Sequence, residues 1–261
     1  MASTHADHSD AAPANFIIFG EMGVGKSSLV NLIAGKQLAT ASSSATSVTL
    51  DSTQYKIRLP DSEREVNLYD TVGLNESRMD NATYIDAATK ARELLLSLQE
   101  KEGVHGLIFC LRGCRISDTV QKNYSLFHEF MCQKQVPISL VFTGLENEQD
   151  DMDNWWTQNQ AHIKKSGIAC VAHACITTIK GYNDVYEQRY LESQNKMHKM
   201  LNELACGAAC PVDVDGWFAR VCQKLRQLLA PDKAPRAVGK NRSKMTQILT
   251  KYCKLRKEHA T

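Results

Sequence analysis

The chain has no long hydrophobic run and no export signal. Of its 261 residues, 43% are hydrophobic, but the longest apolar stretches fall far short of the roughly 20 residues that a membrane-spanning helix needs. Residues 1–14 are polar and contain neither a basic segment nor an apolar one, so we expect a disordered leader rather than a secretory signal. These absences predict a soluble globular protein. Its main domain is predicted to cover residues 15–204.

Paired cysteine motifs are also absent. Nine cysteines in a chain without an export signal favour reduced thiols and a cytoplasmic location. Two pairs, Cys170/Cys175 and Cys206/Cys210, lack the tight spacing and the histidine partners of a structural zinc site. We therefore interpret them as small buried hydrophobic residues, with zinc binding as the alternative.

The formal net charge of +2 is close to zero but unevenly distributed. Residues 231–261 contain nine lysines and arginines against two acidic residues. This basic tail is interpreted as a solvated end or as a helix docked on the domain. The alternative is that the tail binds nucleic acid or an anionic membrane surface.

Residues 20–27 fit the phosphate-binding pattern G-x-x-x-x-G-K-[ST], after an apolar run and before helix-forming residues. A strand brings the chain to the sheet edge, glycines let backbone N–H groups converge on an anion, and the helix adds the positive end of its dipole. The segment predicts a site for a nucleoside di- or triphosphate, whereas the alternative is a glycine-rich turn with an exposed lysine. The predicted nucleotide-binding residues here are Gly20, Glu21, Met22, Gly23, Val24, Gly25, Lys26, Ser27 and Ser28.

A second phosphate element, D-x-x-G, runs from Asp70 to Gly73 directly after an extended apolar segment. In GTPases this element holds magnesium through water and contacts the γ-phosphate. A threonine between the two motifs must close on magnesium, and of Thr46 and Thr49 we prefer Thr49. The predicted Mg²⁺ ligands are Ser27, Thr49 and Asp70, the predicted catalytic residues are Lys26, Thr49 and Gly73, and Asp70 and Gly73 are also predicted to contact the nucleotide.

Strand and helix patterns alternate along the chain. Strands are predicted at 17–20, 48–59, 66–69, 106–111, 138–142 and 170–177, and helices at 26–34, 84–98, 119–133, 155–165, 185–204 and 212–229. This order predicts a three-layer α/β fold with a mostly parallel sheet and a nucleotide at the carboxyl ends of the strands. A helical C-terminal extension over 205–230, packed on the domain, precedes the basic tail.

These motifs together resemble those of the immunity-associated (GIMAP) and Toc-type septin-related GTPases, and among them most closely fungal G domain-containing proteins. The resemblance rests on residues 20–28, 47–49, 70–74 and 106–118 and covers about 15–181. It implies a P-loop NTPase G domain that binds GTP and GDP with Mg²⁺ and that forms a nucleotide-dependent homodimer. Arg112 or Arg115 would then stabilise the developing phosphate charge, and the alternative is a surface arginine without such a role.

The base-reading motif departs from that of a guanine-specific G domain, which presents N-K-x-D after the fifth strand. Here the sequence reads Thr143-Gly144-Leu145-Glu146. Glu146 offers the carboxylate one methylene further out, and Thr143 replaces the asparagine as a polar brace. Because adenine lacks guanine's paired donors, this carboxylate favours guanine. The alternative is that Glu146 begins a solvated acidic loop. Thr177 and Thr178, after the last strand, take the place of the final guanine-loop motif, and Thr143, Glu146 and Thr177 are the predicted nucleotide-binding residues of this region.

The glutamine that orients the attacking water in many small GTPases is replaced by Leu74. A leucine cannot hydrogen-bond water, so Asn75, Glu76, the backbone or a partner protomer must place it. The sequence alone leaves two functions open. One is a slow GTPase that acts as a switch, and the other is a GTP-gated assembly protein with negligible hydrolysis.

Overall fold

The structure is a computed structural model that describes residues 12–39, 52–60, 62–71, 93–99, 103–113, 120–121, 124 and 135–211. The strands are β1 (Ala14–Phe19), β2 (Ser52–Arg58), β3 (Glu65–Thr71), β4 (Gly106–Arg112), β5 (Ile138–Thr143) and β6 (Ala172–Cys175). The helices are α1 (Lys26–Ala34), α2 (Asp153–Lys165) and α3 (Glu187–Ala205), with a 3-10 turn at Tyr182–Asp184. Residues 93–99, 120–121 and 124 are also helical.

The six strands form one sheet in the order β2-β3-β1-β4-β5-β6. Strand β2 is antiparallel to β3, and the other neighbouring strands are parallel to one another. The predicted mostly parallel α/β sheet is therefore confirmed. Because β3 and β4 flank β1, the strand order reverses there, and a crevice opens at the carboxyl ends of the strands.

Hydrophobic side chains cover both faces of the sheet, as alternation along the strands requires. In β1, Phe16 and Ile18 belong to a buried cluster with residues of α1 and α3. Ile17 and Phe19 belong to the opposite cluster, which includes Trp155 of α2. The two clusters confirm the predicted three-layer arrangement. Within the described residues, no helix combines the length and the hydrophobicity needed to cross a bilayer.

Most element bounds lie within two residues of the predicted ones. Strand β1 begins three residues earlier than predicted, at Ala14, and the start of α3 also differs. The helix was predicted from residue 185, but the chain first makes the 3-10 turn and α3 begins at Glu187. Asn183 and Asp184 have positive φ angles of 52° and 56°, a left-handed conformation that ends helical structure and that Asn and Asp tolerate. Strand β6 is shorter than predicted. The predicted helix at 212–229 and the basic tail lie outside the described residues, as do parts of the segments 48–59, 84–98 and 119–133.

Candidate functional site

The P-loop, residues 20–27, connects β1 to α1 at the crevice. Gly20, Gly23 and Gly25 have φ angles of 147°, 77° and 97°, a region that glycine adopts without steric cost. A Cβ on Gly20 would lie 2.1 Å from the carbonyl oxygen of Cys110, so only glycine fits there. The Gly25 carbonyl accepts the N–H of Leu29 at 2.8 Å. The helix therefore begins inside the motif, and the positive end of its dipole faces the loop.

Lys26 folds back over the P-loop. Its Nζ donates to the carbonyl oxygens of Gly20 and Glu21, both at 3.0 Å, and only 8% of the residue is exposed. Burial lowers the pKa of Lys26, and the nearby Asp70 carboxylate opposes this shift. An ammonium group has three donors, so two hold the loop and one is left for a phosphate oxygen.

Ser27 and Asp70 form a second polar contact at the crevice. Ser27 Oγ donates to Asp70 Oδ2 at 3.0 Å, while Asp70 Oδ1 is buried with no hydrogen-bond partner among the described residues. Burial raises the pKa of Asp70, and Lys26 and the Ser27 bond oppose this shift. Hydroxyl and carboxylate oxygens are ligands that Mg²⁺ prefers, and a cation would satisfy the unpaired oxygen. Both residues thus fit magnesium, whereas Thr49 and Gly73 lie outside the described residues.

Thr143, the last residue of β5, contacts the P-loop directly. Its hydroxyl donates to the Val24 carbonyl oxygen at 2.6 Å and lies 3.2 Å from the carbonyl oxygen of Leu111. A Cβ on Gly25 would lie 3.7 Å from the hydroxyl oxygens of both Thr143 and Thr178. The structure therefore brings the predicted brace and the loop after β6 against the phosphate loop.

Glu146 and Thr177, predicted separately, lie together. Thr177 Oγ1 donates to Glu146 Oε2 at 3.0 Å, and Thr177 is fully buried. The part of the chain that the structure describes offers no hydrogen-bond partner to Glu146 Oε1. One carboxylate oxygen is thus fixed, and the other is left for a ligand.

Arg112 ends β4 beside the loop that carries Glu146. Its Nε lies 3.5 Å from the position of a Cβ on Gly144, whose φ is 76°. The second candidate arginine, Arg115, and the region around Leu74 lie outside the described residues. The structure therefore places Arg112 near the base loop and leaves its predicted role toward phosphate as a hypothesis.

Sequence reasoning missed Arg189 of α3. Its guanidinium donates to the carbonyl oxygens of Glu146 at 3.0 Å, Glu148 at 2.7 Å and Asp150 at 3.3 Å. A side chain that bonds only backbone carbonyls imposes no residue type on its partners, so no sequence motif marks it. The hydroxyl of Ser193, one turn further along α3, accepts the N–H of Thr177 at 3.0 Å, and it was missed for the same reason.

The sheet order, the phosphate loop and the aspartate at the end of β3 define the G domain of a P-loop GTPase. Residues 15–144 match the family model described as 50S ribosome-binding GTPase. The chain therefore has the G-domain fold of the P-loop GTPase class.

Comparison with curated proteins found no match, whereas many solved structures share the fold. One is a GTP-binding protein from Sulfolobus solfataricus in complex with GDP, with TM-score 0.46 and 17% identity, covering 74% of this chain and 52% of that one. Another is Era with MgGDPNP and nucleotides 1506–1542 of 16S ribosomal RNA, with TM-score 0.49 and 17% identity, covering 70% and 57%. A third is a dimerization-deficient variant of Toc33 from Arabidopsis thaliana, with TM-score 0.44 and 19% identity, covering 63% and 72%. The chain spans about half the length of the first of these proteins.

Proposed function

We propose that the protein is a magnesium-dependent guanine-nucleotide-binding protein that slowly hydrolyses GTP to GDP and phosphate. The observation that carries this proposal is the bond from Thr177 Oγ1 to Glu146 Oε2 at the same sheet edge as the P-loop. Guanine presents donors at N1 and N2, whereas adenine N1 is an acceptor, so a fixed carboxylate favours guanine. Thr143 links this base loop to the phosphate loop through its bond to Val24.

The phosphate end of the site supports in-line attack of water on the γ-phosphate. The P-loop amides, the amino end of α1 and the remaining Lys26 donor bind and neutralise the phosphate oxygens. Magnesium held by Ser27 and Thr49, and through water by Asp70, would neutralise charge on the β- and γ-phosphates. In this mechanism the Gly73 amide contacts the γ-phosphate.

A second candidate function is GTP-gated assembly with negligible hydrolysis, and Leu74 is the observation that favours it. A leucine gives the attacking water no hydrogen bond, so a single protomer lacks the side chain that many small GTPases use. The resemblance to immunity-associated and septin-related GTPases adds a nucleotide-dependent homodimer, in which Arg112 or Arg115 of a second protomer reaches the phosphates. We also propose that the basic tail, residues 231–261, binds nucleic acid or an anionic membrane surface, and that the protein is located in the cytoplasm.

Single-turnover GTP hydrolysis, measured as a function of protein concentration, tests these functions. A slow magnesium-dependent rate is expected, and a rise with concentration supports catalysis by a dimer. Tight GTP binding without turnover at every concentration supports the assembly function instead. Lys26→Ala should abolish binding and turnover, whereas Lys36→Ala, an exposed lysine just beyond α1, should change neither. Failure of the unmodified protein to bind GTP would contradict both functions.

A further inference from the structure

The geometry points to Arg189 and Ser193, on one turn of α3, as positioning residues that hold Glu146 and Thr177 for guanine recognition. This inference rests on the proposed function, because it assumes that Glu146 reads the base. Neither residue is expected to touch the nucleotide. Each acts through a residue of the predicted base site.

Arg189 fixes the loop that carries Glu146. One guanidinium nitrogen, Nη1, bonds the carbonyl oxygens of Glu146 and Glu148, and Nη2 bonds that of Asp150. These acceptors alternate along the loop, so a single planar group sets the path of the backbone on both sides of Glu148. The rigid fork of arginine suits this task, whereas a lysine ammonium would not reproduce its geometry.

Ser193 fixes the neighbouring loop from the same helical turn. Its hydroxyl accepts the Thr177 N–H at 3.0 Å and donates to the Arg189 carbonyl oxygen at 2.6 Å. Both Ser193 and Thr177 are fully buried. Since Thr177 in turn donates to Glu146 Oε2, the carboxylate is held at its backbone by Arg189 and at its side chain through Ser193.

The same helix is bonded to the far end of α1. Gln194 Nε2 donates to the Leu32 carbonyl oxygen at 2.7 Å, and His198 Nε2 lies 2.8 Å from the carbonyl oxygen of Ile33. Helix α3 therefore contacts both the base loops and the helix that follows the P-loop. This arrangement fixes the distance between the base and phosphate ends of the site.

The experiment compares equilibrium binding of GTP and inosine triphosphate (ITP) by the full chain. ITP lacks the 2-amino group of guanine but keeps the N1 donor, so the GTP-to-ITP affinity ratio reports the contact between Glu146 and the 2-amino group and leaves the phosphate contacts constant. We expect Arg189→Gln to lower that ratio about tenfold, equivalent to about 1.4 kcal/mol, with ITP affinity falling less than GTP affinity because hypoxanthine keeps only the N1 donor. Arg189→Lys should recover only part of the ratio. Gln188→Ala, an exposed position of α3 whose side chain bonds Glu192, is the matched control and should leave the ratio unchanged.

A double-mutant cycle separates positioning from general loss of structure. If Arg189 acts through Glu146, Arg189→Gln adds nothing to the ratio in a Glu146→Ala background. Should Arg189→Gln not fold, Ser193→Ala replaces it with the same expected loss.

The outcomes distinguish the two proposals. Loss of the ratio in Glu146→Ala but not in folded Arg189→Gln or Ser193→Ala would overturn the positioning role alone. An unchanged ratio in Glu146→Ala would overturn guanine reading by Glu146 and, with it, the positioning role.

Discussion

Replacing Thr143 by valine tests the bond that joins the base loop to the phosphate loop. The substitution keeps the shape of the side chain but removes the hydroxyl that donates to the Val24 carbonyl oxygen at 2.6 Å. Among the described residues, the donor that remains near this oxygen is the Cys110 thiol at 3.7 Å, which is a weak donor. The Val24 carbonyl is thus left almost unsatisfied in a buried place.

The expected cost follows from that burial. Thr143 is only 3% exposed, and leaving a buried acceptor unsatisfied costs about 1–3 kcal/mol. The free energy of unfolding should fall by about this amount. Without this bond the P-loop should sample more conformations, and nucleotide binding must then restrict it to one. We expect this to cost about 1.4 kcal/mol of binding free energy, which weakens affinity about tenfold.

Urea denaturation and titration with GDP, GTP and ATP check this prediction, with Thr143→Ser as the control that keeps the hydroxyl and loses a methyl group. Thr143→Val should unfold at lower urea with an unchanged dependence on denaturant, and it should weaken GTP and ATP equally because the change lies at the phosphate loop. Equal urea midpoints and equal GDP affinities for the valine and serine variants would show that the Thr143–Val24 bond stabilises neither the fold nor the phosphate loop.

Three further predictions concern backbone, charge and thiols. Gly20→Ala should destabilise the fold by about 3 kcal/mol or more in thermal unfolding, because the added Cβ would clash with the backbone of Cys110. Gly23→Ala, where a Cβ would meet no neighbouring atom, should cost only about 1–2 kcal/mol of left-handed backbone strain. Equal losses of stability in the two variants would contradict the close contact at Gly20. Because the pKa of Asp70 is raised above its ordinary value of 3.8, the folded protein without nucleotide takes up a proton more readily than the unfolded chain. Its stability should therefore rise as pH falls through that raised pKa toward 3.8, while Mg²⁺-dependent GTP affinity falls over the same range. Asp70→Asn should lose both dependences, and their persistence would assign them to other groups. Alkylation followed by peptide mass spectrometry should label exposed Cys206 but not Cys110, whose burial raises its thiol pKa to about 12, and native labelling of Cys110 would contradict its burial.

The phosphate end of the site was predictable because its residues have few substitutes. Three glycines with positive φ and a lysine that folds back over the loop leave a fixed pattern in the sequence. The first residue of α1 was also predicted correctly, since the motif itself begins the helix. Thr143 was predicted as a brace, but its partner was not, because a backbone carbonyl carries no residue identity.

The hydrogen bonds by which α3 holds the base loops could not be predicted for a related reason. Arg189 and Ser193 lie on α3, far along the chain from the loops they bond, and each bonds main-chain atoms. Only the folded position of α3 brings them there. The start of α3 was misplaced because the apolar Val185 continued the helical pattern, whereas Asn183 and Asp184 turn the backbone before it.

Titration of the nucleotide-stripped protein with GTP, GDP and ATP, with and without magnesium, measures directly whether the site selects guanine over adenine. We expect magnesium-dependent GTP binding that exceeds ATP binding at least tenfold, or about 1.4 kcal/mol. Equal or preferential binding of ATP would contradict guanine reading by Glu146 while leaving the phosphate loop intact.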